Sequence, residues 1–378
     1  MAEPQQNRAV WLASFDTPTE VKTFPIPEAN QGTAVIQVLS TLLTPYTNLA
    51  HSGKLPTLLL RPPLVPNPGA IGRIHAVGSD SVSLKSGDLV FVDSTVRARD
   101  DPKVVIMLGH HGGVETASHH KLTKEWRDGS LQQYQKVPLE NCYKLDEKRL
   151  FQDLKYTPEE LIAITLYLVA AGAIVEAAKI QVGETIIIGP SGGSFGGAAV
   201  EIALLLGANV IALGRSAEKL ASMKKVLGNP DRLHNVVMTG DATKDAEAIQ
   251  QATAASGGAH VYNDWTPGWE MTPLYLSAAL PALKGSARIV MSGGANKDMS
   301  IPHTALLHKN LHVQGKWMYF SSTVHLVISM ISSGVLKIGR NSGADVAVFT
   351  LDDHHAAADH AEKNGQWKHY TVVTPNSA

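Results

Sequence analysis

Residues 184–200 read Glu184-Thr185-Ile186-Ile187-Ile188-Gly189-Pro190-Ser191-Gly192-Gly193-Ser194-Phe195-Gly196-Gly197-Ala198-Ala199-Val200. A β-branched run enters a glycine cluster, and the cluster opens directly into a helix of small and apolar residues. Such a junction holds a pyrophosphate, because several backbone N–H groups point out of it and the helix N-terminus carries about half a positive charge. Glycine is required where a Cβ would keep backbone from phosphate, and where helix must lie close on strand. The strict Gly-x-Gly-x-x-Gly is absent. What stands is Ser191-x-Gly193-x-x-Gly196, flanked by Gly189 and Gly192, so the expected cofactor-binding set is Ser191, Gly192, Gly193, Ser194, Phe195 and Gly196. A tight strand-to-helix turn that binds nothing is the plain alternative. It is disfavoured by the position of the junction within a series of βα repeats.

That series begins near residue 156. Strand-like runs cover 185–188, 210–213, 235–238, 260–262, 287–291 and 311–315, with helix-length stretches at 195–206, 217–227, 244–255 and 272–283 between them. Strands alternating with helices at this spacing imply right-handed βαβ units and a doubly wound parallel sheet. The second strand ends in Gly214-Arg215-Ser216, with Lys219 one turn further on. A site for an unphosphorylated ribose would place a carboxylate here, about 20 residues past the glycines. Guanidinium and ammonium groups suit a 2′-phosphate instead, so NADP(H) is the expected cofactor, held by Gly214, Arg215, Ser216 and Lys219. Arg215 as a solvated loop residue and Ser216 as a helix N-cap are the alternatives, and the two roles of Ser216 are compatible. Asn263, Ser292 and Gly293 follow the fourth and fifth strands at the carboxyl edge, where a nicotinamide belongs, although turn chemistry alone also explains them.

The N-terminal part of the chain, up to residue 150, reads differently, as short β segments broken by Gly and Pro. Strands are expected at 34–38, at 71–78 with a Gly where backbones come close, and within 83–92, where the Gly87-Asp88 turn feeds a third strand. The segment 97–129 shows no sustained period and holds His110, His111, His119 and His120. This predicts a long surface excursion. Its histidines, with Glu115, are candidate metal ligands by chemistry. Adjacent histidines point in different directions, and no metal site is expected. After Gly334 the chain returns to mixed character, with a strand at 346–351, an Ala- and His-rich helix at 353–363 and a strand at 370–373.

Composition excludes several classes of function. The charge sum is −1, from 33 Lys and Arg against 34 Asp and Glu. That balance argues against an electrostatic grip on nucleic acid or anionic membrane and favours a small-molecule substrate. The polar stretch 1–8 reads as no secretory signal, and residues 375–378 carry no lipidation motif. The longest uncharged apolar stretch, 161–175, falls short of the roughly 20 residues of a span and reads as a buried helix, so a cytoplasmic protein is expected. The single cysteine is Cys142. It permits neither an internal disulfide nor a site made of several thiolates, and it reads as a small buried hydrophobe.

The chain resembles the medium-chain dehydrogenase/reductase superfamily over nearly its whole length, and within it the zinc-independent quinone oxidoreductase-like branch and fungal alcohol dehydrogenase-like relatives. The resemblance is carried by Val77-Gly78 through Gly87-Asp88-Leu89-Val90, by Val182-Gly183-Glu184-Thr185, by 195–200, and by Leu206-Gly207-Ala208-Asn209-Val210-Ile211-Ala212. It implies an α/β fold with a GroES-like β-rich catalytic domain over 1–153 and 335–378, and a Rossmann domain over 154–334. It further implies an active site in the cleft between the domains, and homodimers formed along the last nucleotide-domain strand near 311–319. Zinc-dependent members are similar to one another in a Cys that here falls near Leu43-Thr44-Pro45-Tyr46, a Gly-His-Glu that falls near Asn67-Pro68-Gly69-Ala70, and a four-Cys lobe that has no counterpart. The implied chemistry is therefore hydride transfer without a Lewis acid.

By the same resemblance Thr44, Tyr46 and His51 face the nicotinamide. A hydroxyl or imidazole there can protonate or orient an oxygen, with Tyr46 the best single donor; Tyr46 as a core residue is the alternative. The expectation is an NADPH-dependent, zinc-free enzyme that reduces an activated C=C or C=O of a small organic molecule, in secondary metabolism as in fungal members of this kind. A redox-neutral cyclase or isomerase on the same fold, and a non-catalytic NADP-binding protein, are the competing classes.

Overall fold

The computed structural model describes residues 6–268, 274–294 and 298–376. The chain forms two compact units: Met1–Thr165 with Ile338–Gly365 and His369–Ala378, and Leu166–Lys337 with Gln366–Lys368.

In the second unit the six expected strands form one parallel sheet, in the order Leu233–Val237, Asn209–Gly214, Thr185–Gly189, Ala259–Asp264, Leu283–Met291 and His312–Gly315. This is the doubly wound order in which the chain reverses direction beside the first strand, the place where such sheets bind ligands. Every residue of Thr185–Gly189 is buried. That befits a strand with a neighbour on each side and helices over both faces. Ile187, Ile211, Leu213, Tyr262 and Ile289 fill the core beneath Ile249, Leu276 and Ala279. The helices start where side chains can cap them. Asp241 accepts from the Thr243 and Lys244 amides, and Ser216 from that of Lys219. The helix expected over 272–283 appears as Leu274–Ala279 followed by a tighter turn, Leu280–Ala282; its first two residues, Thr272 and Pro273, lie outside the described residues. The terminal readings at Met1–Gln5 and Ser377–Ala378 lie outside them too.

The first unit is built on the long strand Thr33–Leu43. One edge pairs with Ala70–Val77, which continues through Leu89–Val92 to Cys142–Lys144; the other edge is shared by Tyr134–Pro138 and His369–Thr374, the latter carrying Asp345–Thr350. The late segment therefore completes the early sheet.

Two expectations change. The segment 97–129 is not a surface excursion throughout. Val105–Met107 pairs with Thr95–Arg97, and Val105, Ile106 and Leu108 are buried. Val96, Ile106 and Leu108 pack into the same cluster as Ile36, Val38 and Val90. The apolar run is too short to show a period, and burial is decided by strands distant in sequence. The apolar stretch around 161–175 is helical but interrupted, as Pro158–Leu161, Ile164–Ala171 and a wider turn Gly172–Ala177. Pro158–Ala177 is long and apolar enough to cross a membrane by composition, but 78% of its most apolar window is buried inside the protein. Burial of that kind marks the core helix of a globular fold.

Gly72 is the strand glycine at a close approach. A Cβ there would lie 2.4 Å from Ile36 Cγ2 and 2.6 Å from the Gln37 carbonyl oxygen. We expect Gly72→Ala to cost about 1–3 kcal/mol by overpacking, measured as a shift in urea midpoint at unchanged slope; an unchanged midpoint would show that the sheet yields there.

Candidate functional site in the nucleotide unit and the tyrosine–histidine cluster

The glycine loop leaves the carboxyl end of Thr185–Gly189 and enters the helix Ser194–Leu205. Ser191 is fully buried, and its N–H and hydroxyl both donate to the Leu213 carbonyl, at 2.8 and 2.9 Å. The first fingerprint position thus ties the loop to the neighbouring strand. Gly192 and Gly193 border open space, where a Cβ on either would meet nothing within 4 Å. Gly193 is the N-cap of the helix and offers no side chain to its first turn. The arrangement suits an anionic ligand acting as cap. Gly196 is required for another reason: its Cβ would sit 2.2 Å from the Pro190 carbonyl oxygen.

At the end of the second strand, Gly214 lies against Leu220, Arg215 and Lys219 are exposed, and Ser216 caps the helix Ala217–Val226 by accepting from the Lys219 amide at 3.2 Å. The N-cap role of Ser216 is therefore present. Beside the fourth and fifth strands, Asn263 is completely buried. Its amide donates to the Val290 carbonyl and to Ser292 Oγ, and its carbonyl accepts from the Trp265 indole at 2.7 Å. The Trp265 indole stacks on Phe195 at 6.0 Å between ring centres, 19° from parallel. Gly293 is pressed against Thr266, where a Cβ would come 2.3 Å from the carbonyl oxygen. Asn263, Ser292 and Phe195 are thus brought together through Trp265. No sequence signal marks that tryptophan, because nothing in its spacing separates it from a core residue.

Asp264 carries no sequence signal either. It accepts from Tyr262 Oη at 2.7 Å, from Thr266 Oγ1 at 3.0 Å and from the Thr266 amide. Burial raises its carboxyl above the usual range, against the pull of those hydrogen bonds.

In the first unit, Thr44 and Thr47 exchange hydrogen bonds at the start of the short helix Thr47–His51. Tyr46 Oη lies 3.3 Å from His110 Nε2, with the rings 5.6 Å apart. Burial raises the Tyr46 phenol, and the hydrogen bond with Thr44 acts in the opposite direction. His51 is pushed down to about 4, by burial and then by His354 and His355. His110 falls to about 3, by burial and then by His111 and His51, and burial takes His111 to about 4. The cluster is therefore a phenol facing neutral imidazoles at neutral pH. It offers hydrogen-bond donors and acceptors without a buried charge. The remaining histidines of that region diverge: His119 pairs with Thr116, and His120 pairs with Glu115 beside Arg61. Among the described residues no group of three His, Cys, Asp or Glu side chains is arranged to hold a metal ion.

Imidazoles that resist protonation when folded accept it readily at 6.5 when unfolded. Their contribution to folding stability is then complete above pH 6.5 and is lost as pH falls toward 4 and 3. The sign follows because the unfolded chain binds more protons in that window. We expect the melting temperature to drop through it, and His110→Asn to flatten part of the drop. A wild-type melting temperature that stays constant across the same window would contradict this.

Comparison with known proteins agrees with this architecture. A family model described as zinc-binding dehydrogenase matches residues 195–333. A probable D-xylulose reductase A of Aspergillus niger is 23% identical over 83% of each chain. A quinone oxidoreductase of Pongo abelii is 27% identical over 56% of this chain and 54% of its own. Among solved structures, a putative zinc-binding dehydrogenase of Sinorhizobium meliloti bound to NADP superposes with a TM-score of 0.76, at 19% identity over 98% of this chain and 100% of the other. A short chain alcohol dehydrogenase of E. coli complexed with NADH gives 0.75, at 18% identity over 98% and 99%. With the sheet order, the glycine loop and the composite β-rich unit, these similarities support the medium-chain dehydrogenase/reductase superfamily of nicotinamide-dinucleotide-binding oxidoreductases.

Proposed function

We propose that this protein is an NADPH-dependent reductase that delivers hydride to an activated C=C or C=O of a small organic molecule without a catalytic zinc. The observation that carries the reading is the carboxyl end of Asn209–Gly214, which presents exposed Arg215 and Lys219. Cationic donors favour a 2′-phosphate, where a carboxylate would repel it. The open backbone at Gly192 and Gly193 fits the diphosphate, and bound NADPH would supply the hydride from its nicotinamide ring. Tyr46, backed by His110, donates a proton or a hydrogen bond to the substrate oxygen, with Thr44 and His51 orienting it.

Donor chemistry supports the absence of a catalytic zinc. The segments compared with zinc ligands, 43–46 and 67–70, include Thr44, whose hydroxyl is shared with Thr47, and Asn67, whose buried amide donates to Thr41 Oγ1 at 2.6 Å and to the Leu42 carbonyl. Neither supplies a thiolate or imidazole. The only thiol, Cys142, is pushed by burial to about 12. It stays protonated. A cytoplasmic location is part of the same proposal and rests on the single cysteine, which permits no internal disulfide. A role in secondary metabolism rests on the resemblance to fungal relatives alone.

We also propose a homodimer. All four residues of the sheet-edge strand His312–Gly315 are exposed, and Val313, Trp317 and Phe320 present 45–54% of their surface. An open edge with apolar flanks is a ready template for a second copy.

Three experiments test the reading. Loss of reduced-nicotinamide absorbance is measured with a panel of enones, quinones and ketones, and the Kd of NADPH and NADH is measured for wild type and Arg215→Asp. We expect turnover with NADPH, and a variant that loses NADPH affinity about tenfold or more relative to NADH. Equal loss for both cofactors removes the 2′-phosphate assignment, and tight NADPH binding with no turnover favours a redox-neutral or non-catalytic protein. Tyr46→Phe, which keeps the ring and removes the hydroxyl, should lower kcat about 10²-fold or more at unchanged NADPH affinity. Unchanged kcat would leave Tyr46 a packing residue.

A further inference from the structure

Gln366–Lys368 belongs to the nucleotide unit, although the residues before and after it belong to the other. Three contacts tie it to the glycine loop and its helix. The Trp367 N–H donates to the Gly192 carbonyl at 3.0 Å, and Gln366 forms an isolated antiparallel bridge with Gly193. The Trp367 indole occupies the space left by the missing side chain of Gly197, where a Cβ would lie 2.1 Å from Cδ1. Behind these stands Glu201, one turn further along the helix. Its Oε1 accepts from the Trp367 indole at 2.8 Å and from Tyr167 Oη at 2.6 Å, and its Oε2 accepts from Lys368 Nζ at 2.9 Å. Lys368 and Glu201 are only 4% and 7% exposed. A charge pair this dry persists only with such complete hydrogen bonding. Lys368 also holds a backbone φ of 64°. A residue with a Cβ adopts that left-handed region only when its surroundings dictate it.

The consequence follows from the planarity of the peptide group. In a trans peptide the C=O and N–H point in opposite directions. Holding the Gly192 carbonyl toward Trp367 therefore turns the Gly193 N–H away from it, with that N–H free of the alternative orientations that two consecutive glycines otherwise allow. We propose that Trp367, fixed by Lys368 and Glu201, is a positioning residue that sets the Gly192–Gly193 peptide to receive the diphosphate of the dinucleotide. The inference rests on the dinucleotide-binding reading of the loop. Pre-setting the peptide removes an ordering cost that binding would otherwise meet.

The test uses the full-length protein and two ligands, NADPH and adenosine 2′-monophosphate, which carries the 2′-phosphate and adenine but no diphosphate. Trp367→Ala is expected to raise the Kd of NADPH about tenfold or more and to leave that of the mononucleotide within about twofold. Gly197→Ala, which displaces the indole from the other side, should reproduce the same split, and Trp367→Phe, which keeps an aromatic ring but not the indole N–H, should fall between. These two variants carry the test if Trp367→Ala does not fold. Equal weakening of both ligands, or no weakening of NADPH, overturns the positioning role while leaving the reductase reading intact. A wild-type protein that binds NADH in place of NADPH is tested identically with NADH and adenosine 5′-monophosphate. A wild-type protein that binds neither dinucleotide overturns the reductase reading and this inference together.

Discussion

The nucleotide unit depends on how closely backbone can approach backbone at the start of one helix. At Gly196 the helix comes against the Pro190 carbonyl, and at Gly197 it admits an indole, so both faces of the first turn are built on absent side chains. A methyl group at either position would lift the helix from the strand end or expel the tryptophan. Ser191 completes the arrangement from the strand side by directing two donors at a single carbonyl of the neighbouring strand. Loop, helix and strand end are therefore one rigid piece, and Gly192 and Gly193 are left at its open corner.

Much of this was legible in the chain. The alternation of β-branched runs with helix-length segments predicts the six parallel strands, because each inner strand is buried on both faces and must be continuously apolar. Gly72 announced a close strand contact, and the strand expected at 346–351 joins the early sheet through His369–Thr374. What stayed hidden depends on contacts between residues far apart in sequence. Val105 and Ile106 look like loop residues, yet Ile106 packs with Ile36 and Val90, and His110 looks solvated until it meets Tyr46. Trp367 and Lys368 lie in a polar stretch with no period. Their partners stand far back along the chain, near Gly197 and Glu201.

The two units handle buried polarity in different ways. Around Tyr46 the imidazoles are driven neutral, so polarity is kept without charge. Around Glu201 charge is kept and neutralised by a lysine, with two further donors beside it. The first solution leaves uncharged hydrogen-bond donors and acceptors in a dry setting, where none needs a counter-ion. The second suits a place where geometry must not change, since a paired charge deprived of its partner in a dry setting is severely destabilised.

The membership of Gln366–Lys368 in the nucleotide unit bears on how this protein can be divided for engineering. A fragment cut at the apparent ends of that unit, Leu166 to Lys337, would retain Glu201 and Tyr167 but lose the lysine that neutralises the carboxylate. Such a fragment also loses the indole that lies on the helix at Gly197 and donates to the same carboxylate. Chimaeras that transplant the nucleotide-binding module of this chain would therefore have to carry the short tail Gln366–Lys368 along with it, or replace Glu201 with an apolar residue of similar size.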